Sequence, residues 1–121
     1  MRTSRHLPLV MLAVIAFASL ATAHPQIDRA IPPVGSTVPT WPPEIRIFFT
    51  QPINQAASSI ELTTADGKAV ATGSAAGDPK DPTQLFAKLP TLPPGKYRVH
   101  WRVTGVDTHE LDGHYTFEVG Y

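Results

Sequence analysis

Proline and glycine interrupt this chain too often for long helices. There are 13 prolines and 8 glycines among its 121 residues. Between these breaks, apolar and polar side chains alternate, the period of a strand with one face buried. In EIRIFFT, Ile45, Ile47 and Phe49 alternate with Arg46 and Phe48. QLFAKL puts Leu85, Ala87 and Leu89 on one face. LPPGKYRVHWRV turns at Pro94-Gly95 and then alternates Tyr97, Val99, Trp101 and Val103 against Arg98, His100 and Arg102. The last such run sets Tyr115, Phe117 and Val119 against His114, Thr116 and Glu118. SIELTTADGKAV carries Asp66-Gly67, a strong hairpin-turn pair. Short strands parted by Gly, Pro and Asp turns predict an all-β domain, a sandwich or barrel. The count reaches about seven strands if the N-terminal segment and the 70–82 region each contribute one. Gly73–Thr83 reads as a surface loop, small, polar and proline-punctuated. Trp41 is expected to pack in the core or at its rim.

The first 23 residues do not fit this pattern. Arg2 and Arg5 precede an apolar run from Leu7 to Leu20, which closes in Ala21-Thr22-Ala23. A basic start, a short apolar stretch and an A-x-A close describe a secretory signal peptide, residues 1–23. A retained anchor is disfavoured because the run falls short of the ~20 residues that span a bilayer. A second A-x-A ends at Ala18, but the later one follows the whole apolar run. Cleavage after Ala23 removes 23 of the 121 residues and leaves 98, one small domain at 24–121 with His24 as its first residue.

Removing Arg2 and Arg5 leaves 8 basic against 10 acidic residues, a net charge of about −2. No basic patch remains to hold nucleic acid. The chain has no cysteine, so export to a disulfide-permitting compartment adds no cross-link. Both methionines, Met1 and Met11, lie in the leader.

Four histidines remain. His100, between Arg98 and Arg102, and His114, beside Thr116, alternate onto the polar faces of their strands and read as surface residues. His109 lies in a loop between two strands, in Asp107-Thr108-His109. That triplet reads either as a turn, with Asp107 capping backbone amides, or as a ligand pair, since imidazole and carboxylate both bind divalent transition metals. His24 bears on the choice. As a first residue it carries an α-amine and an imidazole Nδ1, which close a six-membered chelate ring. The amine has a pKa of roughly 7.7–8.0 and loses its proton readily to a metal. Pro25 has no N–H, so binding through a deprotonated second amide is blocked, and further ligands must come from elsewhere in the fold. Asp107 and His109 could complete a tetragonal set of three nitrogens and one oxygen, which suits Cu(II) and holds Zn(II) or Ni(II) more weakly. Without a sulfur ligand after residue 23, a dedicated Cu(I) site is not expected.

With these residues in place, the chain resembles the CopC family of periplasmic copper-binding proteins over its whole mature length. The resemblance begins at a histidine directly after the cleavage site, followed by AIPPVGSTV. It continues through the strand and proline of IRIFFTQPI. It ends in YRVHWRVTGVDTHELDGHYTFEV, where Tyr97, Val99, Trp101, Val103, Asp107, His109, Gly113, Phe117 and Val119 match the family pattern. The resemblance implies a Greek-key β-sandwich or barrel of immunoglobulin-like or cupredoxin-like form. It also implies one Cu(II) per chain, held by the amine and imidazole of His24, by Asp107 and by His109. Such a protein would be a soluble periplasmic monomer, not an enzyme, acting in copper homeostasis or resistance. It would carry or sequester copper, with an inner-membrane transporter as a candidate partner. Three positions depart from the pattern. Thr108 replaces a glycine, Glu110 a proline, and Gln51 a glutamate expected to face the amine. The methionine-rich Cu(I) loop of some members is missing. Two other readings remain. An N-terminal histidine chelate is also the copper centre of polysaccharide-oxidising monooxygenases, but those are larger and leave copper open to oxygen. A metal-free exported interaction module would leave the conjunction of His24, Asp107 and His109 without a purpose.

Overall fold

The computed structural model describes residues 24–120. The expected signal segment, 1–23, lies outside them, as does Tyr121. Nine strands follow in order: β1 (Ile27–Ile31), β2 (Thr37–Val38), β3 (Glu44–Phe49), β4 (Ile53–Thr64), β5 (Ala69–Val70), β6 (Ala76–Asp78), β7 (Asp81–Lys88), β8 (Gly95–Gly105) and β9 (Glu110–Val119). They form two sheets, ordered β1-β3-β7-β6 and β2-β9-β8-β4-β5. All pairings are antiparallel except β2 with β9. The architecture is therefore a sandwich rather than a closed barrel. No helix among the described residues is long and apolar enough to cross a membrane.

The alternation seen in the sequence sets the core. Ile45, Ile47 and Phe49 from one sheet, and Tyr97, Val99, Trp101 and Val103 from the other, are all buried. Phe49 and Trp101 meet edge to face across the sandwich, ring centroids 5.3 Å apart. Leu85, Ala87, Tyr115, Phe117 and Val119 fill the layer between.

Two expectations need correction. The strand count is nine, because β2 and β5 are two-residue strands that show no alternation. Residues 73–83 are more ordered than a loop: β6 lies within them and β7 starts at Asp81, with β6 pairing along β7. Gln55 of β4 explains much of this order. Its amide nitrogen lies 3.2, 3.0 and 3.0 Å from the carbonyl oxygens of Asp78, Asp81 and Gln84. Of the two places expected for Trp41, core or rim, its 40% exposure rules out the core and leaves the rim.

Candidate metal centre

The long hairpin of β8 and β9 ends in the loop Val106–His109. Two backbone hydrogen bonds tighten it: Gly105 N donates to the His109 carbonyl at 2.9 Å, and Thr108 N donates to the Gly105 carbonyl at 3.0 Å. Thr108 takes φ 70°, a left-handed conformation that β-branched residues rarely adopt. This is the position where the family pattern has glycine. Glycine would hold that conformation without the steric cost that threonine meets there.

Within this loop the Asp107 carboxylate faces back on His109. Oδ1 accepts the His109 backbone N–H at 3.2 Å, and Oδ2 lies 3.0 Å from His109 Nδ1. The turn and the ligand reading of Asp-Thr-His are thus compatible, one through each oxygen. The backbone hydrogen bond from His109 is the main cause holding the Asp107 carboxyl below its ordinary value. The His109 side chain and the positive charges of His109 and His24 act in the same direction, against partial burial. The carboxylate stays ionised, as a metal ligand must be.

His24 reaches this loop from the other end of the described chain. Thr50 N donates to the Gln26 carbonyl at 2.8 Å, and Gln26 N donates to Thr50 Oγ1 at 3.1 Å. These bonds extend the β1–β3 ladder to the start of the described chain. Pro25 is buried, with its ring against Gly105, where an added Cβ would stand 3.6 Å from its Cγ and Cδ. Ligand atoms of His24, Asp107 and His109 all lie within 4.8 Å of one another. The two imidazoles are edge to face, centroids 5.6 Å apart. Both histidines are exposed and Asp107 is half-buried, so the cluster opens to solvent. No other three His, Asp or Glu side chains converge as closely among the described residues. The 3.0 Å separation of His109 Nδ1 and Asp107 Oδ2 is close to the cis edge, about 2.9 Å, of a metal with bonds of ~2.0–2.1 Å.

The sequence reading brought together the three ligand candidates but missed the residues that position them. Pro25, Gly105 and Thr50 are ordinary residue types whose roles arise only from contact across the fold. His114 is exposed, as expected. His100 is less free than a bare surface histidine, since Asp112 and Glu61 flank its ring.

The CopC domain model matches residues 27–120. The chain belongs to the CopC domain family. It is 31% identical over 115 residues to copper resistance protein C of Escherichia coli, covering 88% of this chain and 89% of that one. Its fold matches the crystal structure of CopC from Methylosinus trichosporium OB3b with a TM-score of 0.75 and 31% identity, over 79% of this chain and 93% of the other. PcoC from Escherichia coli, described as a methionine-rich copper resistance protein, matches with a TM-score of 0.73 and 32% identity, over 81% and 100%.

Proposed function

We propose that this CopC-family chain is an exported copper-binding protein, with residues 1–23 removed as a leader and residues 24–121 forming a monomeric periplasmic domain. It binds one Cu(II) through the His24 amine and imidazole, the Asp107 carboxylate and the His109 imidazole. The observation that carries this reading is the convergence of these three residues, from the two ends of the described chain, to within 4.8 Å. Copper resistance proteins among its relatives support copper as the cargo. The donor set favours Cu(II): nitrogen and oxygen ligands suit its tetragonal preference, and the only methionines are Met1 and Met11. This chain therefore differs from a methionine-rich relative in having no thioether for Cu(I) outside the leader.

The role is to hold and pass on the ion rather than to activate oxygen with it. Asp107 would supply a carboxylate ligand at a place that an oxidative centre would leave open to oxygen. A membrane copper transporter is the natural acceptor for a carrier in that compartment.

The test is a Cu(II) titration of protein beginning at His24, read by electron paramagnetic resonance, beside protein with one extra residue before His24. One tight equivalent with a tetragonal, nitrogen-rich signal, weakened or altered by the extension, supports the chelate. Binding that is weak, or indifferent to the extension, removes it.

A further inference from the structure

The β8–β9 pair carries a second histidine–carboxylate pairing that the first site does not use. His100 of β8 and His114 of β9 are direct cross-strand partners, and Asp112 lies two residues before His114 on the same face. All three point away from the core, since Val99, Trp101 and Tyr115, with the opposite parity, are buried. His100 Nε2 stands 3.0 Å from Asp112 Oδ2, the same separation as His109 Nδ1 to Asp107 Oδ2. It is again close to the cis edge, about 2.9 Å, of a metal with ~2.0–2.1 Å bonds. Directly opposed residues on antiparallel strands have Cβ atoms roughly 4.5–5.5 Å apart, within reach of two imidazoles converging on one ion. Glu61 of β4, the cross-strand partner of His100 on its other side, places Oε2 3.7 Å from His100 Nδ1.

We propose that His100, Asp112 and His114 form a second site for a divalent transition-metal ion, independent of the first and weaker. Two imidazoles and a carboxylate make the same class of donor set as the loop site, without the amine. Two features make it weaker. His114 is exposed and must rotate to bring its ring to the His100–Asp112 edge, and Arg102, the cross-strand partner of Asp112, sets a positive charge beside the ion. The sites share no ligand. Five residues of β8, about 16 Å at ~3.3 Å each, separate His100 from Gly105 at the loop. The hydrogen bond from His100 is the main cause keeping the Asp112 carboxyl below its ordinary value, so the carboxylate is charged near neutral pH.

The experiment follows backbone amide signals by nuclear magnetic resonance as Cu(II) is added past one equivalent. The first equivalent is expected to broaden signals around the Val106–His109 loop, and the second those flanking His100 and His114. His114→Ala and Asp112→Asn should each weaken the second event at least tenfold and leave the first unchanged. His109→Ala should weaken the first and leave the second. The proposal is overturned if further copper broadens no signals near His100 and His114. It is also overturned if His114→Ala and Asp112→Asn leave the second event unchanged, or if His109→Ala abolishes both events.

Discussion

Each oxygen of Asp107 has its own partner, and the two can be separated. Asp107→Asn keeps an oxygen to accept the His109 backbone N–H, so the turn should survive and the unfolding midpoint should stay near that of the parent. The charge is lost, so Cu(II) affinity should fall at least about tenfold. Calorimetric titration beside urea unfolding checks both halves. If stability and affinity fell together, Asp107 would be acting mainly as a turn residue. Thr108 tests the departure from the family pattern. A non-glycine residue in the left-handed region costs roughly 1–2 kcal/mol, partly offset by the extra freedom glycine has when unfolded. Thr108→Gly should therefore stabilise the protein by roughly 0.5–1 kcal/mol. A lower urea midpoint in that variant would show that φ 70° is no burden to Thr108.

At the level of the elements, the end of β8 is built around the absence of a side chain. A Cβ on Gly105 would lie 2.8 Å from Asp107 Oδ1, closer than a real Cβ contact, while its distance to Pro25 would be ordinary. The flexible carboxylate can move aside, so the fold should lose about 1 kcal/mol or less in Gly105→Ala. Asp107 would then leave the His109 edge, and Cu(II) binding should weaken several-fold although no ligand has changed. Parent-like affinity in Gly105→Ala would show that the carboxylate's present placement is unnecessary. The strands carrying the site were legible in the sequence because Tyr97 to Val103 and Tyr115 to Val119 alternate over a long enough run. Strands β2 and β6 were not, since two or three residues cannot display a period and their pairing depends on neighbours elsewhere in the fold, and β5 was signalled only by the Asp66-Gly67 turn before it. The three candidates stood out in the sequence because histidine and aspartate side chains offer metal donors, at the expected start of the mature chain and in the Asp107-Thr108-His109 triplet. Pro25 and Gly105 carry no such chemical mark.

On the scale of the molecule, Gln55 binds one sheet to the other. Its amide, from β4, lies against three carbonyls at the β6–β7 turn and along β7, and its side chain fills the space over Gly77. Gln55→Ala should cost about 1–3 kcal/mol, read as a fall in urea midpoint, because the half-buried carbonyls lose their donor. An unchanged midpoint would mean that water replaces the amide. Acid should also weaken the whole fold. Hydrogen bonds from Thr83 lower the Asp81 carboxyl, and Asp107 and Asp112 are lowered by their histidine partners. A carboxyl depressed in the folded state stabilises it fully above the unfolded value, here 3.8, and loses that contribution as pH falls through the folded value. The urea midpoint should hold down to about pH 4 and drop below it, with a smaller drop in Asp81→Ala. A midpoint as high at pH 2.5 as at pH 7 would mean that these carboxylates do not contribute.

The Gln26–Thr50 bonds and the buried Pro25 ring hold the first described residue beside the tip of the final hairpin. In a domain without cysteine, an ion bound there would also be a staple: it would tie the beginning of the sandwich to its last turn, the constraint that a disulfide supplies in many exported proteins of this size. Bound only by the folded form, it stabilises the fold by about 4 kcal/mol at a free concentration a thousand times its dissociation constant. On the proposed reading, cargo and scaffold would depend on each other, and a chain that gave up its copper would also loosen its own ends.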